Sequence, residues 1–274
     1  MMVRIPVLMY HEVAEKERLD DLRHRTHADY ILASGTFKEQ MRYLQENGYH
    51  SLCAGDLVQA VKTGQFACLP SRPVLITFDD GYAGNCEQAL PILAQFEMKA
   101  CFFVTVNEIG AEAMMTWRQL HELLQAGMQV QSHLVHHVML SELSREKAGE
   151  ELLQSREVLQ ERLGVPVDLL SLPNGSYHSH YVPLATEAGY IGGFSSRLGY
   201  VEASSHPFLL ERIPVLRSTT PARFARILAA DHTVLIGAKL RQRAHTLLNH
   251  VVGESTVNRW YHRLHRIDAP HPDS

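Results

Sequence analysis

Cysteine, tryptophan, excess positive charge and long apolar runs are all scarce in this chain of 274 residues. Its four cysteines, Cys53, Cys68, Cys86 and Cys101, are too few and too far apart for a disulfide framework or a paired-cysteine metal knuckle, so reduced thiols are expected. No window approaches the roughly 18 apolar residues that span a bilayer. The opening run to His11 turns polar too quickly for a signal peptide, which sets the expectation of a cytoplasmic protein. With 26 basic against 30 acidic residues the net charge is -4, which argues against nucleic-acid binding driven by overall basicity. What is plentiful is apolar content, at 45%, enough for one large core, and histidine, 17 in all, a side chain suited to metal binding and proton transfer near neutral pH.

Short β-rich runs alternate with longer helical patterns, the signature of a mainly parallel α/β fold. Val7 to Tyr10, Val74 to Phe78, Ala100 to Val104 and Leu169 to Leu172 read as compact buried strands, and Met128 to Ser132 as an alternating one. Thr36 to Asn47, Ala83 to Phe96 and Thr116 to Ala126 read as helices. So does Leu140 to Leu163, with Ser141 as its N-cap and Gly164-Val165-Pro166 as its stop. No repeat or low-complexity tract divides the chain, and the composition shifts only from Leu235 onward. Six basic residues (Lys239, Arg241, Arg243, Arg259, Arg263, Arg266) face three acids there.

Two clusters carry chemistry. Ile76-Thr77-Phe78-Asp79-Asp80-Gly81-Tyr82 sets adjacent carboxylates just past a buried strand, where α/β folds place their sites. Neighbouring side chains on extended backbone point oppositely, so one acid can hold a metal while the other reaches a water, provided the turn rotates them. Asp-Asp-Gly is also an ordinary turn. Gln131 to His137 again follows a strand, and His133 and His137 at four-residue spacing can face one cation. Read alone, that cluster is equally a solvated polar loop. Two histidines and one carboxylate leave coordination positions open, as catalysis requires.

Taken together, Thr77-Phe78-Asp79-Asp80-Gly81-Tyr82 and Ser132-His133 with His137 resemble the polysaccharide deacetylases, metal-dependent carbohydrate esterases that remove acetyl groups. Val7-Leu8-Met9-Tyr10-His11, the Phe37 to Tyr49 pattern and Met115-Thr116-Trp117 resemble their exopolysaccharide branch, over roughly residues 5 to 215. The resemblance implies a distorted (β/α) barrel. It also implies Asp79 as general base and Asp80, His133 and His137 as ligands of a divalent metal, with zinc the first expectation. His136 stays unassigned, with His133 and His136 an alternative pair. Leu134 stands where relatives carry threonine. The third motif reads Ser171-Leu172-Pro173-Asn174-Gly175-Ser176-Tyr177: proline and glycine are kept, and arginine and tyrosine are not. Asn174 N–H can still steady an oxyanion, while Asp79 needs another partner, for which Arg212 is a candidate and a surface ion pair the alternative. His11 fits the general acid in place of the tail histidines His232, His245 and His250, though a backbone-satisfied core histidine is the bland reading. Tyr82, Trp117, Pro173 and Gly175 are expected to line the substrate.

The expected organisation is a catalytic barrel over 1–234 and a basic, amphipathic helical extension over 235–274. Leu240, Leu247, Leu248, Val251, Val252, Trp260, Tyr261 and Leu264 are interleaved there with arginines. This extension either caps the barrel or lies on the anionic inner face of a membrane. The expected partner is an N-acetylated glycan, in a polysaccharide, an oligosaccharide or a lipid-linked precursor. A non-sugar amide and a non-catalytic carbohydrate-binding module are the rival readings. The oligomeric state is left open.

Overall fold

Each of the five apolar runs forms a strand, and their common direction carries their C-terminal ends to one rim. The computed structural model describes residues 3–18, 28–231 and 233–237. In chain order, β1 (Val7–Tyr10) is followed by a small parallel pair, β2 (Glu12–Ala14) and β3 (Ile31–Ala33), then α1 (Ser34–Glu46), β4 (His50–Ser51) and α2 (Ala54–Thr63). Next come β5 (Pro73–Phe78), α3 (Leu90–Gln95), β6 (Cys101–Val104), α4 (Trp117–Gln125), β7 (Gln129–Ser132), α5 (Arg145–Leu163) and β8 (Leu169–Ser171). The last elements are α6 (Tyr181–Glu187), β9 (Gly192–Leu198), β10 (Leu210–Pro214) and α7 (Pro221–Leu228). From β5 to β10 each strand pairs in parallel with the next, and β1 closes the ring by pairing with both β10 and β5. The result is the expected barrel, a closed ring of seven parallel strands, with β4 added at the start of β5.

The barrel interior changes character along its axis. At the N-terminal end Val7, Leu75, Cys101, Phe103, Leu169, Phe194 and Leu210 form one apolar cluster with Leu57, Val58 and Val61 of α2. Toward the C-terminal rim the fully buried Thr77, Ser171, Ser195 and Arg212 take over. Alternation explains the change in β5: Leu75, Thr77 and Asp79 point inward, while Phe78 packs outward between Tyr10 and Phe102, with ring centroids 5.3 and 4.7 Å away.

Two expectations need correction, and two strands were missed. The single helix over 140–163 is a 3-10 turn at Leu140–Glu142 followed by α5, and its N-cap is Ser144, whose hydroxyl accepts from Lys147 N–H; Ser141 instead contacts Ser176. The helix over 83–96 starts at Ala83 as expected, but a π-helical turn at Asn85–Ala89 interrupts it before α3. Strands β9 and β10 escaped the apolar-run reading because their inward positions near the rim are polar, Ser195 and Arg212 among them.

Among the described residues, the ten strands and seven helices named above lie in one compact unit that ends at Ala230. The expected extension, 235–274, lies outside the described residues except for 235–237, and so do its named apolar residues and His232, His245 and His250. Among the described residues no helix is long and apolar enough to cross a membrane.

Candidate active site

The turn after β5 performs the rotation that the adjacent carboxylates require. Asp79 N–H donates to Tyr10 O (3.1 Å), which keeps Asp79 in strand register and its side chain inside the barrel. Asp80 and Gly81 then both take positive φ, 73° and 98°. Only Gly81 can do so freely, since a Cβ there would meet Val104 Cγ1 at 3.2 Å. The strained Asp80 backbone swings its carboxylate away from that of Asp79 and toward the histidine loop.

Asp79 is met by an arginine from two strands away around the ring, on the other side of β1. Arg212 of β10 is fully buried and forks onto it, Nη1 to Oδ1 at 2.7 Å and Nη2 to Oδ2 at 2.6 Å. It is therefore no surface ion pair. Its Nε donates to Ser195 O (3.0 Å), and Ser171 Oγ accepts from Nη2 (2.8 Å) while donating to Asp79 Oδ2 (3.1 Å). Burial raises the Asp79 carboxyl, but the charges of Arg212 and His133 outweigh it and hold the group below the usual carboxylate range. Asp79 is thus ionised at neutral pH.

The second cluster is built differently. His133, at the end of β7, is buried and donates Nδ1–H to Ser171 O (2.9 Å), which leaves its Nε2 lone pair directed at Asp80 Oδ1, 3.3 Å away. His137 Nε2 lies 3.4 Å from the same oxygen. Donor atoms of Asp80, His133 and His137 all lie within 4.8 Å of one another. Yet Asp80 Oδ1 is buried with no hydrogen-bond partner. An oxygen anion facing two imidazole nitrogens needs a positive species between them, and both separations exceed a charge-assisted N–H···O bond, about 2.7–2.9 Å. The residues fit a divalent cation bound by one carboxylate and two histidines. Burial pushes the Asp80 carboxyl up, but His133, His11 and His137 more than reverse it. Burial lowers His133, and the two aspartates raise it further than burial lowers it. For His137, burial and the neighbouring His133 lower the ring.

His136 belongs elsewhere. Its Nδ1 pairs with Glu151 Oε1 (2.6 Å) and its Nε2 with Asn107 Nδ2 (2.6 Å), so the alternative pair of His133 with His136 is replaced by His133 with His137. His11, just past β1, is half-buried, its Nδ1 has no partner, and its ring lies 4.3 Å from that of Tyr30. Burial lowers its pKa, partly countered by Asp80 and Asp79, which leaves it neutral at neutral pH. Asn174 is exposed, at φ +54°, in the turn Pro173–Gly175 that directly follows β8. Gly175 holds φ +66°, and a Cβ there would come within 2.7 Å of Ser196 N, so this glycine is required by packing. Pro173 is buried, and Tyr82 is nearly so, bridged to Met114. Trp117 opens α4 with its ring under the Arg162 guanidinium (4.7 Å), a helix-to-helix contact. Sequence reasoning missed Ser171, Ser195, Glu151 and Tyr30. For Ser171 a signal existed, because it shares the inward parity of Leu169 at a strand's end.

Comparison with known proteins agrees with this geometry. Residues 67–192 match the family model described as polysaccharide deacetylase. The Bacillus subtilis protein YxkH is 27% identical over 77% of this chain and 71% of its own length. The poly-beta-1,6-N-acetyl-D-glucosamine N-deacetylase of Staphylococcus aureus is 24% identical over 75% and 77%. Among solved structures, the Streptococcus pyogenes deacetylase PplD, in complex with acetate, superposes with a TM-score of 0.75 at 26% identity, covering 83% of this chain and 99% of that one. IcaB from Ammonifex degensii, at 22% identity over 82% and 96%, shares the fold with a TM-score of 0.69. A closed parallel barrel with an aspartate pair and a histidine pair on its rim agrees with these matches, which identify residues 67–192 as a polysaccharide deacetylase domain.

Proposed function

We propose that the protein is a metal-dependent N-deacetylase acting on an N-acetylated amino sugar within a polysaccharide, with zinc as the resident metal. The observation that carries this reading is the unpartnered Asp80 Oδ1 facing His133 and His137 beside a clamped, ionised Asp79. The polysaccharide class is supported by the Staphylococcus aureus relative, whose name specifies an N-acetylglucosamine polymer. A non-catalytic binding module would have no need for a ligand set with open positions.

Amide hydrolysis requires that a water lose a proton and that the departing amine gain one. Asp80, His133 and His137 would hold the cation, which when bound supplies a Lewis acid able to bring a water's pKa from about 15.7 toward 7. Asp79 is positioned as the base: Arg212 fixes both carboxylate oxygens, and Oδ1 keeps a lone pair for the incoming proton. His11, neutral in the resting site and with a free Nδ1, is suited to carry that proton to the leaving nitrogen. Asn174 N–H is the oxyanion donor in this scheme. Tyr82, Pro173 and Gly175 shape the adjoining rim.

Acetate release from β-1,6-linked N-acetylglucosamine oligomers, measured on chelator-stripped protein before and after zinc is restored, tests the assignment. Release only with metal is expected. No release from any acetamido sugar by zinc-loaded protein overturns it. We further propose a cytoplasmic location and contact of the basic extension with anionic membrane, resting on sequence alone. Co-sedimentation of the full chain with anionic vesicles tests this contact, and a chain that stays in solution removes it.

A further inference from the structure

We propose that Glu151 of α5 is the positioning residue that holds the loop from His133 to His137 in its metal-binding shape. The proposal rests on the metal-site reading above. Glu151 spends one carboxylate oxygen on the loop's backbone: Oε2 accepts from both Val135 N–H and His136 N–H, each at 3.0 Å. Its other oxygen takes the His136 ring at 2.6 Å. These two amides lie between the ligating histidines, so the carboxylate fixes the chain that sets their separation.

The loop needs such a hold. Leu134 sits at φ +69°, in the left-handed region, although it is neither glycine nor exposed. A branched apolar side chain adopts that conformation only where surrounding contacts impose it. Its N–H donates to Ser132 Oγ (3.1 Å), and its carbonyl and that of Val135 accept from Val106 N–H (3.1 Å) and Asn107 N–H (3.0 Å). Glu151 supplies the remaining partners. One helical turn further along α5, Ser155 Oγ accepts from Ser132 Oγ (2.9 Å), so residues four apart on one helix face grip both ends of the loop. His136 points away from the metal donors because its ring pairs with the other oxygen of the same carboxylate.

The geometry separates backbone positioning from the His136 ring pair. Isothermal titration of zinc into chelator-stripped full-length protein, with a circular dichroism melt of each variant, reads both. Glu151→Ala is expected to weaken zinc binding by roughly 10- to 100-fold, the range for outer partners of metal ligands, at temperatures where the melt shows it folded. His136→Ala, which leaves the backbone clamp in place, should stay within about threefold of wild type. Glu151→Gln keeps an acceptor oxygen for the two amides and should recover much of the loss. Where the alanine variant does not fold, Glu151→Asp decides: it keeps the charge but withdraws it by one methylene, and should bind about fivefold or more weakly. Wild-type affinity in Glu151→Ala or, failing that, in Glu151→Asp overturns the proposal, as does His136→Ala losing as much as Glu151→Ala. A wild-type protein that takes up no zinc overturns the metal reading itself, and the clamp with it.

Discussion

Asp79 and Asp80 are adjacent in sequence, the first buried and the second half-buried at the rim, and the protein treats their charges in opposite ways. The Asp79 carboxylate is neutralised from within by a bidentate arginine and a serine hydroxyl. Asp80 is left with an oxygen that has no hydrogen-bond partner and faces two imidazole nitrogens at 3.3 and 3.4 Å. Burying a charge without compensation costs several kcal/mol. The first site meets that cost with protein atoms, and the second would meet it with a cation held by Asp80, His133 and His137. A barrel can thus hold a finished ion pair and an unfinished one a single residue apart, because the positive-φ turn sends the two side chains to different surroundings.

The largest effect is expected on the unfinished side. His133→Ala and Asp80→Ala should lose bound metal by elemental analysis and reduce acetate release to background, and chelation of wild type should do the same reversibly. Asp79→Asn should separate the sites by keeping its metal and losing turnover by roughly 10² to 10⁴. If it loses metal as well, the two carboxylates are not functionally distinct.

His11→Ala should lower turnover by a similar or smaller factor, roughly 10² to 10³, with metal content unchanged, as for loss of a general acid. An unaltered rate would make His11 a packing partner of Tyr30.

On the finished side, Arg212→Met should cost about 3–5 kcal/mol by chemical denaturation, because it strands a buried carboxylate. The folded-state pKa of Asp79 is depressed, so its contribution is present above the unfolded value of about 3.9 and fades as pH falls through the folded one. The gap between wild type and Arg212→Met should therefore hold from pH 7 to 5 and narrow toward pH 3. A gap that does not change with pH would mean that Arg212 acts by packing alone.

The smallest effect concerns how closed the interior is beneath the open rim. Burial, with Glu122 beside it, pushes the Cys86 thiol up to about 12, and burial raises Cys101 inside the barrel well above its ordinary value. Iodoacetamide at pH 8 should modify the exposed Cys53 and Cys68 in native protein, and Cys86 and Cys101 only on unfolding, as read by peptide mass spectrometry. Early labelling of Cys101 would show that the interior opens.

Much of this was legible because it is local. Asp79, Asp80, His133 and His137 announce themselves by following apolar strands, and a four-residue spacing constrains a loop whatever surrounds it. Arg212 could be named as a candidate but not placed, since its partner is 133 residues away and only ring closure through β1 brings β10 within reach of β5. Glu151 looked like one more acid on a charged helix, because nothing in its neighbours reports that its oxygen meets the backbone of residues 135 and 136. The expected N-cap, Ser141, falls three residues short of the observed one, Ser144, a shift that apolar periodicity does not resolve. Strands β9 and β10 were hidden by the feature that makes the site, since polar residues facing inward erase the apolar run.

Ring closure by β1 also has a consequence for the order of synthesis. Val7 to Tyr10 leave the ribosome before the other barrel strands, and one edge of this strand can pair once Leu75 to Phe78 are made. The other edge pairs with Ile213 and Pro214, near the end of the barrel sequence. At translation speeds of about 5–20 residues per second the interval is on the order of ten seconds, during which an apolar strand edge is open to any competing strand. The nascent chain is therefore most vulnerable to aggregation before β10 emerges, and truncations ending short of Pro214 keep it in that state.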